Sequence, residues 1–336
     1  NTMSEIIFSQ GSGLNDSLFG KSQDPIKAVI TDKAEEFERG SQIKNIFGME
    51  TSTRFAEKFT SETALDDFQN VGENGAYPKT GFQEGFSKTI EPATWKSSFE
   101  ITREMLEDSQ YPKVKKKATG FTQSYNRTRE KYAASLLAGG VGTSMMFGGV
   151  KYDTTTADGK ALFATDHPSK TKAGYVQSNI FKAADGFSVA AMDKMEEAMQ
   201  SFCDDDGHLL SVMPDTIIIP NNAALKRSVI AAIDSQYDPE SDKNAVNFQC
   251  GLWRVLVWNY LPKTIGGQPY WLMMDSQFKE NYDCLPWVDR VKLTVRSYVD
   301  ENTDANVWSG RARFGAGFNN WRCISIGGAG LNGTEI

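Results

Sequence analysis

The alternation of apolar and polar residues along the chain predicts its order of helices and strands. The longest periodic stretch runs from Tyr111 to Gly140, where apolar or weakly polar side chains recur every three or four residues. This spacing is that of one face of an amphipathic helix. Its members are Val114, Ala118, Phe121, Tyr125, Thr128, Tyr132 and Leu136. The pattern predicts a helix of about 28 residues and about 40 Å, with charged residues, Arg129 among them, mostly off that face.

Helical spacing also predicts shorter helices on both sides of this one. They cover residues 32–39, 101–109, 187–202 and 223–234. Thr102 and the pair Asn221 and Asn222 are candidate caps, because short polar side chains accept hydrogen bonds from the first turn. The methionines of 187–202 fall on one face and are interpreted as adaptable core. The apolar face of the last helix is predicted to hold Leu225, Val229, Ile230 and Ile233.

Alternation at period two predicts the strands. Two extended runs, 49–71 and 86–101, flank a polar segment and are interpreted as one long hairpin. A compact α/β unit is predicted from strands at 216–219, 252–258 and 270–274. The last strands, 291–299 and 307–318, are predicted to form a further sheet that 321–326 closes.

The hairpin carries aromatic residues at its tip without an apolar core to receive them. An isolated two-stranded hairpin is barely stable in water. We therefore expect it to lie on a neighbouring subunit, with the alternative that it folds back onto its own domain. The candidate intersubunit contacts are Tyr77, Lys79, Phe82 and Phe86.

The composition of the chain argues against some classes of function. The chain has 336 residues, 40% of them hydrophobic, and a net charge of −7, which argues against a dedicated nucleic-acid binder. No apolar run approaches the roughly 20 residues needed to cross a bilayer, so no membrane partner is expected. Residues 1–30 are polar and are predicted to form an extended arm. The four cysteines are too widely spaced for a metal knuckle and are expected to be reduced.

No catalytic constellation stands out in the sequence. The two histidines, His167 and His208, lie in no nucleophile-elbow or thiol-protease context. The acidic run at 204–206 lacks the later ligands of a calcium loop and is interpreted as a turn. We therefore expect no catalytic, metal or cofactor site. One cluster of positive charge is a candidate for weak, sequence-independent contact with DNA, with a solvated helix face as the alternative: Lys113, Lys115, Lys116 and Lys117.

The order of these parts resembles a known family. The segment ITREMLEDS leads into the long helix, and DGHLL is followed by PDTIIIPNNAALKRSV and then by RVLVWNYLP. In this layout the chain is similar to the major capsid proteins of tailed bacteriophages, which share the HK97-like fold. The resemblance implies an α+β fold with an N-terminal arm at 1–44, an extended hairpin loop at 45–100, a peripheral domain at 101–202 and 288–336 with a spine helix at 111–138, and an axial domain at 203–287.

The resemblance also implies a function. The chain would assemble with itself into the hexamers and pentamers of an icosahedral shell that encloses double-stranded DNA, and would not be an enzyme. Expected partners are a portal, a scaffold or protease, decoration proteins and the packaged DNA, with assembly in the bacterial cytoplasm and residence in the virion. Relatives suggest proteolytic maturation before Asn1 and a crosslink from Lys79 or Lys88 to Asn319 or Asn320. The alternatives are an encapsulin-like compartment and a cytosolic hydrolase.

Overall fold

The computed structural model describes residues 17–62, 70, 77, 84–108, 111–237, 246–300, 302–303 and 305–336. Its helices are α1 Ser17–Gly40, α2 Ile43–Ile46, α3 Arg103–Glu107, α4 Tyr111–Gly139, α5 Val189–Gln200, α6 Ala223–Asp234 and α7 Ser276–Asn281. Its strands are β1 Gly48–Thr51, β2 Glu57–Glu62, β3 Glu84–Ile90, β4 Ala93–Ile101, β5 Ser144–Phe147, β6 Val150–Asp153, β7 His167–Pro168, β8 Val176–Gln177, β9 Ile180–Lys182, β10 Thr216–Pro220, β11 Arg254–Trp258, β12 Tyr270–Met274, β13 Pro286–Asp300, β14 Ala305–Ala316, β15 Ile324–Gly328 and β16 Thr334–Glu335.

A four-stranded sheet has the order β1-β13-β14-β4. Its long central strands, β13 and β14, are antiparallel, β4 extends them on one side, and β1 pairs parallel to β13 on the other. The alternation predicted for 291–299 is confirmed in its middle, since Leu293 and Val295 pack into a core while Thr294 and Arg296 are exposed. It is wrong at Val299, which is exposed like Tyr298. Register shifts between Asp289 and Thr294 mark bulges, which locally increase the twist of a strand.

A six-stranded sheet has the order β11-β10-β12-β15-β9-β16. The predicted strands at 216–219 and 270–274 form its centre, with buried side chains throughout. The prediction that 321–326 closes the sheet of β13 and β14 is wrong, because β15 pairs antiparallel with β12 in this second sheet. The local pattern could not distinguish the two, since a fully buried strand suits either sheet. One continuous cluster of buried side chains reaches both sheets.

The long helix α4 lies across the four-stranded sheet, as its apolar face requires. Phe121 packs on Phe99 of β4, whose ring stacks on Trp308 of β14. A side chain at Gly310 would bring its Cβ within 2.5 Å of the Phe121 ring. The glycine therefore allows the helix to approach the sheet closely. With 29 residues the helix is about 43 Å long. No helix in the described ranges is both long and apolar enough to cross a membrane.

Helix α1 is much longer than the sequence pattern indicated. The predictions were an extended arm to about residue 30 and a short helix at 32–39, whereas the structure has one helix from Ser17 to Gly40. Its Ile26 and Ile30 are buried against Val114 and Ala118 of α4. The helix gains this support from tertiary packing, which local polarity does not reveal. Residues 1–16 lie outside the described part of the chain.

The run predicted as one strand at 86–101 is two strands in different sheets. Strand β3 ends at Ile90 and pairs with β2, whereas β4 begins at Ala93 and pairs with β14. The break falls at Pro92, which lacks the N–H group that a continuous ladder would need. The hairpin therefore consists of β2 and β3, and the residues between them lie largely outside the described ranges.

The predicted cap of α6 is present. Asn222 caps α6 by accepting from the N–H groups of Ala224 and Leu225, while Asn221 does not act as the cap. Ile230, predicted on the apolar face of α6, is exposed, and Ala232 is buried in addition to the other predicted residues. The predicted methionine face of α5 is buried as core.

Candidate functional site

The base of the hairpin is fixed to the body of its own subunit by two lysines. Lys88 Nζ lies 2.6 Å from Asp153 Oδ2 and 2.8 Å from Thr155 Oγ1. Lys170 Nζ donates to the carbonyl oxygens of residues 84 and 85, at 2.6 Å each, and lies 5.8 Å from the centroid of the Phe86 ring. Both lysines therefore connect strand β3, or its first residues, to the body of the subunit.

The predicted contact residues of the hairpin differ in their surroundings. Tyr77 is 95% exposed. Phe86 is half-buried and faces Lys170 of the same subunit. Lys79 and Phe82 lie outside the described residues. Whether any of the four contacts a neighbouring subunit stays a prediction.

The predicted basic cluster lies at the start of α4 and is exposed at all four positions, Lys113, Lys115, Lys116 and Lys117. Lys117 Nζ donates to the backbone oxygen of Glu100 at 3.0 Å, which holds the start of the helix near β4. The cluster thus has the exposure that contact with a polyanion requires, and its function stays a prediction.

A buried charge network at Arg129 was not predicted. The guanidinium contacts Asp289 Oδ2 at 2.8 Å and Glu38 Oε1 at 2.9 Å, and its side chain is 5% exposed. It also lies over the rings of Trp287 and Phe314. The sequence prediction placed Arg129 off the apolar face, yet it follows Tyr125 by one helical turn. The spacing from Tyr125 is the signal in the sequence that could have predicted the burial of Arg129. Its ion-pair partners could not be predicted, because Glu38 and Asp289 lie in distant segments of the chain.

Burial and the neighbouring charges shift the pKa values of residues in this network. Desolvation raises the pKa of Tyr125 to about 12, although the charge of Arg129 opposes the shift. Burial alone would lower the pKa of Arg129, but Tyr125, Asp289 and Glu38 together keep it above its ordinary value. A cleft of about 830 Å³ between α1, α4 and the start of β13 borders the network. The arrangement ties α1, α4 and β13 together.

His167 is a buried structural residue. Its ring stacks on Trp321, with centroids 4.3 Å apart, Nδ1 lies 2.6 Å from Asp158 Oδ2, and Nε2 lies 3.2 Å from Asn179 Oδ1. Burial alone would raise the pKa of Asp158, but the hydrogen bond and charge interaction with His167, together with the donors of Thr156 and Lys160, lower it. The burial of His167 was not predicted from the sequence.

The acidic run at 204–206 forms a turn, as predicted. Asp204 Oδ1 accepts from the backbone N–H groups of Asp206 and His208. Asp205 pairs with Arg322 at 2.9 Å, which connects the turn to the segment before β15. Among the described residues, no three acidic, histidine or cysteine side chains come together as a metal site would require.

A long helix across a four-stranded sheet, a second sheet that shares its core and a separate two-stranded hairpin define the α+β, HK97-like class of capsid folds. The model of the phage capsid protein family matches residues 85–325. The chain belongs to this family.

Solved structures with the same fold are distant in sequence. The chain is similar to a protein of Mycobacterium phage Patience, with a TM-score of 0.53, 11% identity and coverage of 95% of this chain and 89% of that one. For the capsid of an empty GTA particle the TM-score is 0.51, with 13% identity and coverage of 85% and 89%. For the procapsid of bacteriophage JBD30 the corresponding values are 0.50, 11%, 93% and 75%. No curated protein matches the chain.

The family match confirms the main predictions. The predicted HK97-like α+β fold is confirmed, as is the role of a major capsid protein of an icosahedral shell. The chain is a structural protein of the virion capsid and assembles with itself. The encapsulin-like alternative has the same fold, and the match to a phage capsid family favours the phage capsid over it.

Proposed function

We propose that the chain forms hexamers and pentamers of a shell that encloses double-stranded DNA, and that its hairpin lies on an adjacent copy. The observation that carries this proposal is the hairpin itself. Its base is anchored by Lys88 and Lys170, while Tyr77 exposes an aromatic ring to solvent. Contact with an adjacent copy would cover this ring, and assembly would then contribute to the stability of the subunit.

The domain assignment remains part of this proposal. The proposed parts are an arm at 1–44, a hairpin loop at 45–100, a peripheral domain at 101–202 and 288–336 that contains α4, and an axial domain at 203–287. Strands β1 and β4, which belong to the four-stranded sheet, fall almost wholly within the range proposed for the hairpin loop. The six-stranded sheet takes β9, β15 and β16 from the peripheral segments and β10, β11 and β12 from the axial one. The two proposed domains would therefore share a sheet.

The remaining partners follow from the same proposal. We infer a non-enzymatic subunit that assembles in the bacterial cytoplasm with a portal and a scaffold or protease, and that accepts decoration proteins. The exposed lysines at 113–117 would contact packaged DNA without sequence preference, and a salt-dependent affinity would be their signature. Such contact would be weak, because the chain carries a net charge of −7.

The direct experiment is expression of the chain, alone and with its candidate scaffold, followed by electron microscopy and light scattering. We expect closed particles built from hexamers and pentamers. Tyr77→Ser should reduce the assembled fraction, whereas Tyr282→Ser, which removes a partly exposed tyrosine at the end of α7, should not. A chain that remains monomeric under all these conditions would refute the proposal.

A further inference from the structure

Two buried cysteines meet at the base of the long antiparallel pair formed by β13 and β14. Cys284 precedes β13, Cys323 follows β14, and both side chains are fully buried. All four cysteines of the chain are free thiols in the structure. Neither Cys284 nor Cys323 contributes to the network of Arg129 or to the two lysine anchors of the hairpin.

Backbone hydrogen bonds hold the segments of the two cysteines together. The N–H groups of Asn319 and Asn320 donate to the carbonyl oxygen of Cys284, at 2.8 and 3.2 Å. The thiol of Cys323 donates to the carbonyl oxygen of Asn320, with Sγ and O 3.8 Å apart. Both cysteines therefore contact the backbone of Asn320, which fixes the two segments side by side.

The two side chains also contact each other. The thiols lie within hydrogen-bonding reach, and the Cys284 thiol also donates to the carbonyl oxygen of Phe278, with Sγ and O 3.6 Å apart. Burial raises the pKa of the Cys284 thiol well above its ordinary value, Cys323 and Asp283 act in the same direction, and Arg322 opposes the shift. Because the thiolate is the reactive form, Cys284 keeps its proton and reacts slowly.

We propose that Cys284 and Cys323 form a disulfide bond when the protein meets an oxidant of the hydroperoxide class. One thiol reacts with hydrogen peroxide to give a sulfenic acid and water. The second thiol then attacks the sulfenic sulfur, which forms the S–S bond and releases a second water. The two thiols lose two electrons and two protons, and the peroxide is reduced to water. Hydrogen peroxide is small and uncharged, which suits a pair that is shielded from solvent.

Metal binding is the other chemistry that two adjacent cysteines can support. A structural zinc site needs four ligands from cysteine, histidine or acidic side chains. Within the described ranges, no third side chain of these types joins the pair. The surroundings of Cys284 and Cys323 therefore suit a disulfide better than a metal ion.

The bond would close a loop, residues 284–323, that contains the whole of β13 and β14. These strands form the centre of the four-stranded sheet. A disulfide stabilises mainly by restricting the unfolded chain, and more so for longer loops. The timing rests on the proposed function: the cytoplasm keeps thiols reduced, whereas released particles meet oxidising surroundings. The bond would therefore stabilise the subunit after release from the cell.

Peptide mapping of the purified, unassembled chain tests for the bond. Reduced protein is treated with hydrogen peroxide, the remaining thiols are alkylated in denaturant, and the digest is analysed by mass spectrometry. We expect a linked pair of peptides that joins Cys284 to Cys323 and separates on reduction. Alkylation of all four cysteines, sulfinic acids without a link, or a link that uses Cys203 or Cys250 would each overturn the inference.

Thermal unfolding provides a second readout. Peroxide should raise the unfolding temperature of the wild type by about 5 °C, and a reducing agent should reverse the rise. Cys203→Ser with Cys250→Ser changes two half-buried cysteines and should show the same rise, because the buried pair remains. Cys323→Ala should show none. An equal rise in Cys323→Ala, or no rise in the linked wild type, would contradict the proposal. If Cys323→Ala fails to fold, peptide mapping of the unaltered chain still decides.

Particles distinguish the inference from the proposed function. When cells are lysed with an alkylating reagent present, Cys284 and Cys323 in the particles should be alkylated, whereas particles stored in air should carry the link. A link already present at lysis would contradict the proposed timing. A wild type that never assembles would refute the proposed function, while the test on the unassembled chain would still decide whether the bond forms.

Discussion

At the scale of single residues, Arg129 is the clearest case of a charge held inside the fold. It neutralises Asp289, which is only 8% exposed, and it covers the rings of Trp287 and Phe314. Removing one partner of a buried pair leaves the other charge uncompensated, which costs about 3–5 kcal/mol. We expect Arg129→Met to lower the free energy of unfolding by that amount in chemical denaturation.

The neighbouring Arg127 is an internal control for this change. It lies on the exposed side of α4, and surface substitutions usually change stability by less than about 0.5 kcal/mol. Arg127→Met should therefore unfold like the wild type. Equal destabilisation by both substitutions would mean that helix propensity or surface charge, and not the buried network, accounts for the loss.

The pair of Asp158 and His167 gives the subunit a dependence on acid pH. Because the pKa of Asp158 in the folded state lies below its unfolded value of about 3.9, its stabilisation is complete above that value. It is lost as the pH falls through the lower, folded-state pKa. Asp158→Asn should cost about 1–3 kcal/mol near neutral pH and should flatten the fall in stability below about pH 4.

The measurement is the free energy of unfolding as a function of pH, with Asp166→Asn as the matched variant. Asp166 forms an ion pair with Lys160 at the surface, where such pairs contribute little. Its removal should leave the acid branch of the curve nearly unchanged. An Asp158→Asn curve parallel to the wild type would show that this carboxylate is not linked to folding.

At the scale of elements, helix α1 depends on a small apolar contact with α4. Ile30 is 1% exposed and packs with Ile26, Val114 and Phe121. Truncating a buried isoleucine to alanine costs about 2–5 kcal/mol. Ile30→Ala should therefore release α1, seen as faster proteolysis and hydrogen exchange within 26–40, whereas Glu35→Ala on its exposed side should not. Unchanged protection of α1 in both variants would contradict this assignment.

Helices α1 and α4 and strand β15 show which elements could be predicted from the sequence and which could not. Helix α4 was predicted almost to the residue, because a long repeat and terminal glycines act locally. Helix α1 was not, since its buried contacts at Ile26 and Ile30, with Val29 partly buried beside them, lie in a polar stretch and their partners are about 90 residues away. Likewise β15 has an apolar pattern that fits either sheet, and only pairing with β12 decides its place.

Some of the surface residues discussed above could also be predicted from the sequence, and others could not. Exposure of Tyr77 and of the lysines at 113–117 follows from local polarity and was predicted. The approach of Lys96, Arg296 and Arg311 to one another on the four-stranded sheet could not be predicted, because these residues are far apart in the chain and meet only through the register of three strands. Which charged side chains become neighbours on a sheet depends on how its strands pair, and the pattern within a single strand does not contain that information.

At the scale of the whole molecule, weak contacts within a subunit can strongly affect assembly, because many copies must adopt the same geometry in one shell. The anchors of the hairpin are such contacts. Lys88 pairs with Asp153, whose side chain is 59% exposed, and such a half-exposed ion pair contributes about 0–1 kcal/mol; Lys170 donates to two backbone carbonyl oxygens. Lys88→Ala with Lys170→Ala should scarcely change the unfolding temperature of the subunit. It should nevertheless sharply reduce the yield of closed particles, because every interface of a shell repeats the same small loss.

The control for this last change is Lys160→Ala. It removes a comparable surface pair with Asp166 and leaves both hairpin contacts intact. Particle yield by sedimentation and electron microscopy should fall only for the double variant, with elongated or open assemblies replacing closed ones as the hairpin direction is relaxed. If the double variant closes as well as Lys160→Ala, the hairpin is oriented by the neighbouring copy alone, and the two lysines merely satisfy local carbonyl and carboxylate groups.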